Sequence, residues 1–174
     1  MIESWKKIKE TPFKAGFRNL LNRVFILPNG KTADFDVMNS GKVACVLALT
    51  NEKKIVLASQ FRPGPEKILH ELPGGCVEKG EEPIDAIQRE LLEETGYTGD
   101  FEFVGTSLNG AYTTMIKYNF VAKNCKKIQE PQTDDTEFCE VLEMPLEDFR
   151  KHLRSGELSD VATGYLGLDH LGLL

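Results

Sequence analysis

The longest apolar stretch of the chain lies within Lys42–Thr50, where nearly every position is apolar. A run this short, without alternation, predicts a strand buried on both faces. Asn51-Glu52-Lys53-Lys54 turns the chain, and Ile55–Phe61 returns beside it. An earlier hairpin is predicted from Asn22–Leu27, the turn Pro28-Asn29-Gly30-Lys31 and Thr32–Met38. Asn-Gly accepts positive φ, and the preceding proline limits the approach to the turn. Residues 1–12 are polar, with Trp5 and Ile8 as apolar contacts. After Glu82 the period changes. Ile84, Ile87 and Leu91 fall at i, i+3 and i+7, a stripe that predicts a helix over Glu82–Thr95. Pro83 suits its first turn, where a missing N–H costs little, and Gly96 stands where a glycine ends a helix. Strands are predicted at about Phe101–Ser107, Ile116–Ala122 and Glu137–Glu143, a short helix at Leu146–Arg154 and a weaker one at Asp160–Leu171. Strands, a central helix, more strands and terminal helices describe a layered α/β or α+β domain.

Composition narrows the partners. The 174 residues carry 21 Lys+Arg against 27 Asp+Glu, a net charge of −6. An acidic chain with no basic block is not built for nucleic acid or an anionic membrane. The length suits one domain with a core that needs no disulfide or structural metal. Cys45, Cys76, Cys125 and Cys139 are widely spaced, so they form no C-x-x-C pair and read as reduced, partly buried thiols of a cytoplasmic protein. No apolar run is long enough to span a bilayer, and the N-terminus has no signal-like segment.

The candidate chemistry lies between Gly75 and Tyr97, GCVEKGEEPIDAIQRELLEETGY. Glu90 and Glu94 are four apart and share a face of the predicted helix, bordering the apolar stripe. Glu93 lies about a quarter-turn away, Arg89 is four residues before it, and Glu81 sits at the loop–helix junction. Two like charges about 4 Å apart repel by roughly 4 kcal/mol at an effective dielectric near 20. Exposed helix faces tolerate such runs, and on charge pattern alone a solvated face is the ordinary reading. A partly buried cluster instead asks for a counter-ion, and a hard divalent cation suits all-oxygen donors.

The full spacing decides between them. Gly75, Glu81, Arg89, Glu90, Leu91, Glu93, Glu94 and Gly96 occupy the places of the Nudix box, and the segment resembles that of the Nudix hydrolases, with Tyr97 where a smaller aliphatic residue is commoner. The resemblance implies an α/β/α sandwich with a mixed sheet and an N-terminal β-hairpin extension, the box forming a loop–helix–loop. It implies hydrolysis of a diphosphate joining a nucleoside to another group. By the same resemblance Glu90, Glu94 and Glu93 with the Gly74 carbonyl would bind Mg²⁺, or Mn²⁺. Glu93 would also help place the attacking water, and Arg89 would orient the glutamates through Glu93 or Glu81. A general base from a later loop is expected, with Asp135 and Glu137 as candidates; the alternative is an acidic surface turn.

The flanks extend the resemblance. The hairpin at Pro28–Lys31, Gln60-Phe61-Arg62-Pro63, Glu71-Leu72-Pro73-Gly74-Gly75 and Ser155-Gly156-Glu157 are similar to the ADP-ribose and sugar-nucleotide pyrophosphatase branch. That branch implies ADP-ribose as first substrate, giving AMP and a sugar phosphate. It also implies a homodimer contacted through residues 1–40, with residues 41–174 as the hydrolase domain. Arg62 would meet phosphate or ribose; pairing with Glu71 or Glu66 is the alternative. Glu71, Asn109 and Tyr112 complete the expected substrate contacts. No proline occurs between Tyr97 and Pro131, where ADP-ribose-specific members carry a Pro-Gly turn, so Leu108–Thr114 points to another or a broader sugar group. The remaining alternatives are hydrolysis of a dinucleoside polyphosphate or oxidised nucleotide, and a non-catalytic nucleotide-binding domain.

Overall fold

The computed structural model describes residues 3–132 and 138–174. They form two compact units, residues 1–41 with 108–116, and residues 42–107 with 117–174.

The first unit is a three-stranded antiparallel sheet of β1 (Lys6–Ala15), β2 (Arg18–Ile26) and β3 (Thr32–Met38), in that order. The β2–β3 turn closes as its Asn-Gly sequence predicts: the Leu27 N–H donates to the Lys31 carbonyl at 2.8 Å, and the Asn29 side chain accepts from the Lys31 N–H at 3.0 Å. β1 arises within the stretch read as a polar N-terminal segment. Every one of its residues is exposed, so no apolar alternation marks it, and its ladder to β2 defines it. Trp5, Phe25, Phe35 and Tyr112 form a chain of ring contacts on this unit, with centroids 5.8 to 6.3 Å apart.

The second unit is a mixed sheet between helices, the layering that the resemblance implies. Its strands are β4 (Lys42–Thr50), β5 (Lys54–Arg62), β6 (Lys67–Glu71), β7 (Gly74–Cys76), β8 (Tyr97–Leu108), β9 (Ile116–Lys127) and β10 (Cys139–Pro145). The order is β10-β5-β4-β9-β8, with β6 on β5 and β7 on β4. The helices are α1 (Pro83–Thr95), α2 (Leu146–His152) and α3 (Val161–His170).

The apolar run of β4 is buried on both faces, and the two-residue period of a strand splits it. Ala44, Val46 and Ala48 join Ile87 and Leu91 of α1 in one core; Cys45 and Leu47 join Phe149 of α2 and Leu168 of α3 in the other. Cys45 and Cys125 are buried thiols, and burial raises the Cys125 pKa to about 12 and the Cys45 pKa well above its usual range. Among the described residues no helix is long and apolar enough to cross a membrane.

Candidate active site

α1 turns one face to the sheet and carries its acidic flank to the rim of the core. Pro83 occupies its first turn, and Gly96 ends it at φ 75° with its N–H on the Leu92 carbonyl. Ile87 and Leu91 are fully buried. Their helical neighbours Glu90 and Glu94 are therefore drawn inward. Glu94 is 8% exposed and the Glu90 side chain 15%, against 44% for the Glu93 side chain.

β7 presses against this flank. The Gly74 N–H donates to Glu94 Oε2 at 3.0 Å. The Glu90 carboxylate fills the space beside Gly75, where an added Cβ would stand 2.4 Å from Cδ and Oε1. Gly74 and Gly75 are thus part of an edge strand, β7, whose lack of side chains admits two glutamates.

Arg89 organises the rest. Its Nε and Nη2 donate to both oxygens of Glu81 at 3.1 and 3.2 Å, and its Nη1 to Glu90 Oε1 and Glu93 Oε2 at 2.9 and 3.0 Å. Nη2 also reaches the Cys76 carbonyl at 3.2 Å. Both expected partners of Arg89 are present, with Glu90 as a third. These carboxylates, Glu81 first, raise the Arg89 pKa further. Arg89 in turn lowers that of Glu81, which the Glu78 N–H also caps at 2.9 Å.

The donor set suits a hard divalent cation in type: the carboxylates of Glu90, Glu93 and Glu94, with the Gly74 carbonyl the expected backbone donor. As they stand, these carboxylates are tied to Arg89 and to the Gly74 N–H. Among the described residues no three His, Cys, Asp or Glu side chains are gathered into a ready metal cage. A cation would therefore have to exchange with these internal partners to bind here. When bound, it would neutralise phosphate charge and acidify a water molecule.

The other expected site residues divide. Arg62 Nε donates to Glu71 Oε2, while the Arg62 side chain is 44% exposed. Glu71 is only 4% exposed, and its Oε1 accepts from Ser159 Oγ at 2.5 Å. Both Glu71 oxygens thus have internal partners, a placement that favours orienting Arg62 over touching substrate. Asn109 and Tyr112 belong to the other unit, on an exposed loop where the Tyr112 ring stacks 6.3 Å from Phe35. Asp135 and Glu137 lie outside the described residues. The chain runs toward them from Gln132, whose N–H donates to the Glu93 carbonyl at 2.8 Å. Sequence reasoning missed Lys117, Ser159 and Asp160, a polar cluster beside Glu71. The one signal was the alternation of Lys117 and Asn119 in the largely apolar first half of β9.

The family model described as NUDIX domain matches residues 39–161. The chain belongs to the Nudix family. Nudix hydrolases generally use divalent metals. This Nudix chain is 39% identical over 145 residues to an ADP-ribose pyrophosphatase of Bacillus subtilis, covering 80% of the chain and 77% of the relative. It is 34% identical over 149 residues to a methanol dehydrogenase activator of Bacillus methanolicus, covering 82% and 80%. To a GDP-mannose pyrophosphatase of Cronobacter sakazakii it is 33% identical over 150 residues, covering 79% and 77%. The crystal structure of an ADP compounds hydrolase superposes with a TM-score of 0.83 at 17% identity, over 100% of this chain and 99% of that one, a likeness of fold.

Proposed function

We propose that this Nudix hydrolase cleaves the diphosphate bond of nucleoside diphosphate sugars, ADP-ribose first, releasing AMP and a sugar phosphate. The observation that carries the reading is the α1 constellation, with Glu90 and Glu94 at the core rim and Arg89 bridging Glu81, Glu90 and Glu93. The Bacillus subtilis relative, named for ADP-ribose, supports the substrate. The Cronobacter sakazakii relative, named for GDP-mannose, supports a wider sugar range, as does the absence of proline between Tyr97 and Pro131.

In this reading Glu90, Glu94, Glu93 and the Gly74 carbonyl hold Mg²⁺, with Mn²⁺ as substitute. Arg62 offers its guanidinium fork to phosphate oxygens. Asp135 or Glu137 serves as general base. The purified full chain is incubated with ADP-ribose, GDP-mannose and other sugar nucleotides, with Mg²⁺, Mn²⁺ or EDTA. Metal-dependent release of a nucleoside monophosphate is expected; none from any substrate would sink the proposal.

The enzyme is proposed to be a cytoplasmic homodimer. Four free cysteines suit a reducing compartment. Trp5, Ile8, Phe13 and Phe17 on the N-terminal sheet are 39 to 99% exposed, an apolar surface suited to a second copy. Sedimentation of the full chain should give twice its 19.5 kDa mass. A single-chain mass at micromolar concentration refutes the dimer.

A further inference from the structure

Apart from the α1 carboxylates, the second unit holds another charged cluster whose members come from four separate elements. Lys117 of β9 is 8% exposed and Glu71 of β6 is 4% exposed. Charges this buried persist only when paired. Lys117 Nζ donates to Asp160 Oδ1, in the turn leading into α3. Burial works against the Lys117 charge, but Asp160 outweighs it and raises the Lys117 pKa. Ser159 Oγ lies 2.5 Å from Glu71 Oε1 and 3.0 Å from Asp160 Oδ2. A hydroxyl has one proton to give. It goes to Glu71 at the shorter distance, because Asp160 already has Lys117. Glu71 Oε2 then receives Arg62 Nε–H.

The chain of contacts thus runs from Ser159 through Glu71 to Arg62, with Lys117 pinning the adjacent Asp160. Its last link has a directional consequence. The Arg62 Nε–H lies in the guanidinium plane, so fixing it aims the terminal fork. Among the described residues the terminal nitrogens of that fork have no protein partner. The turn itself is anchored, since Leu158 is buried in the α2/α3 core.

We propose that Ser159, in the turn that the neighbouring Asp160 ties to Lys117, is a positioning residue that aims Arg62 at the substrate diphosphate through Glu71. The proposal rests on the reading of Arg62 as a substrate contact. Without the hydroxyl, Glu71 Oε1 is left buried without its donor, so the carboxylate reorients and the Arg62 fork loosens.

Ser159→Ala, Ser159→Thr, Arg62→Ala and the Ser159→Ala/Arg62→Ala pair are compared in the full chain with ADP-ribose and Mg²⁺. Ser159→Ala should raise KM about tenfold with kcat within about twofold, as loss of binding held equally in ground and transition states does. Ser159→Thr keeps the hydroxyl and should restore KM. In the Arg62→Ala background Ser159→Ala should add nothing, since one acts through the other. A second readout needs no substrate. The Arg62 Nε–H resonance, identified by its loss in Arg62→Ala, should shift toward those of exposed arginines in Ser159→Ala and return in Ser159→Thr. A resonance unmoved by Ser159→Ala overturns the proposal whatever the substrate proves to be. If Arg62→Ala raises KM and Ser159→Ala does not, the proposal fails while the reading of Arg62 stands. If Arg62→Ala leaves KM unchanged, that reading fails and takes the proposal with it.

Discussion

Tyr97 occupies a place where a smaller aliphatic side chain is commoner, and its surroundings give a physical reason for the larger one. The side chain is 6% exposed, and its O–H donates to Glu143 Oε1 on β10; Glu143 Oε2 also holds Lys54 Nζ at 2.6 Å. Tyr97 therefore bolts the end of α1 to the strand that follows the expected base-bearing loop. Burial, then Glu143, raises its pKa from 10.0 to about 12. Lys54, then Tyr97, lowers that of Glu143 from 4.5. The neutral phenol is favoured in the folded state, so its contribution is full below pH 10 and is lost as pH rises through about 12. The depressed carboxylate works oppositely: its contribution is present above pH 4.5 and lost as pH falls through its folded value. The stability advantage of wild type over Tyr97→Phe, measured by urea denaturation, should shrink by up to about 2 kcal/mol between pH 9 and pH 12. A gap that stays constant with pH would show that the phenol proton is not involved. At this scale the sequence is legible wherever helical pitch turns spacing into proximity, as for Arg89 with Glu93. It was silent on Ser159 and Glu71, 88 residues apart, because no local pattern marks a contact made by the fold.

The elements most plainly legible are those whose apolar period matches their geometry, and the ones missed have none. β4 and β3 begin and end where their apolar and alternating patterns do, and α1 follows its Ile84/Ile87/Leu91 stripe. β1 is exposed throughout, β6 is a short strand after a turn, and β7 has two glycines in three residues, so pairing alone defines them. β7 is nevertheless where the sheet meets the acidic flank of α1, and its two glycines face different neighbours. An added Cβ at Gly74 would lie 2.4 Å from the Ala44 backbone oxygen, which the β4 ladder holds in place. At Gly75 the three nearest atoms all belong to the end of the Glu90 side chain, which can swing away. Gly74→Ala should therefore cost about 2 kcal/mol of stability or more. Gly75→Ala should fold with a melting temperature within a few degrees of wild type yet lose about a hundredfold in activity, since it displaces a proposed metal ligand. Thermal melting and ADP-ribose hydrolysis on both variants separate the two effects. Equal losses of stability would show that Glu90 is as rigidly held as the β4 backbone.

Charge makes sense at the scale of the whole molecule. Between Glu78 and Glu94 there are seven acids and two bases, so five of the six net negative charges lie in one loop and helix. Arg89 neutralises part of this inside the fold, yet it must serve Glu81, Glu90 and Glu93 together. The folded chain therefore stores like-charge repulsion at one place, and a cation that binds there stabilises the native state by mass action. At ten times its dissociation constant such a cation contributes about 1.4 kcal/mol, or roughly 3–5 °C for a chain of this length. Mg²⁺ should thus raise the melting temperature at pH 7 well beyond an equal ionic strength of NaCl, which only screens. The shift should vanish in a Glu90→Gln/Glu94→Gln variant. Melting curves report this without any turnover, so the metal reading stands or falls apart from the choice of substrate. A Mg²⁺ shift that survives in the double variant would place the cation elsewhere on the molecule.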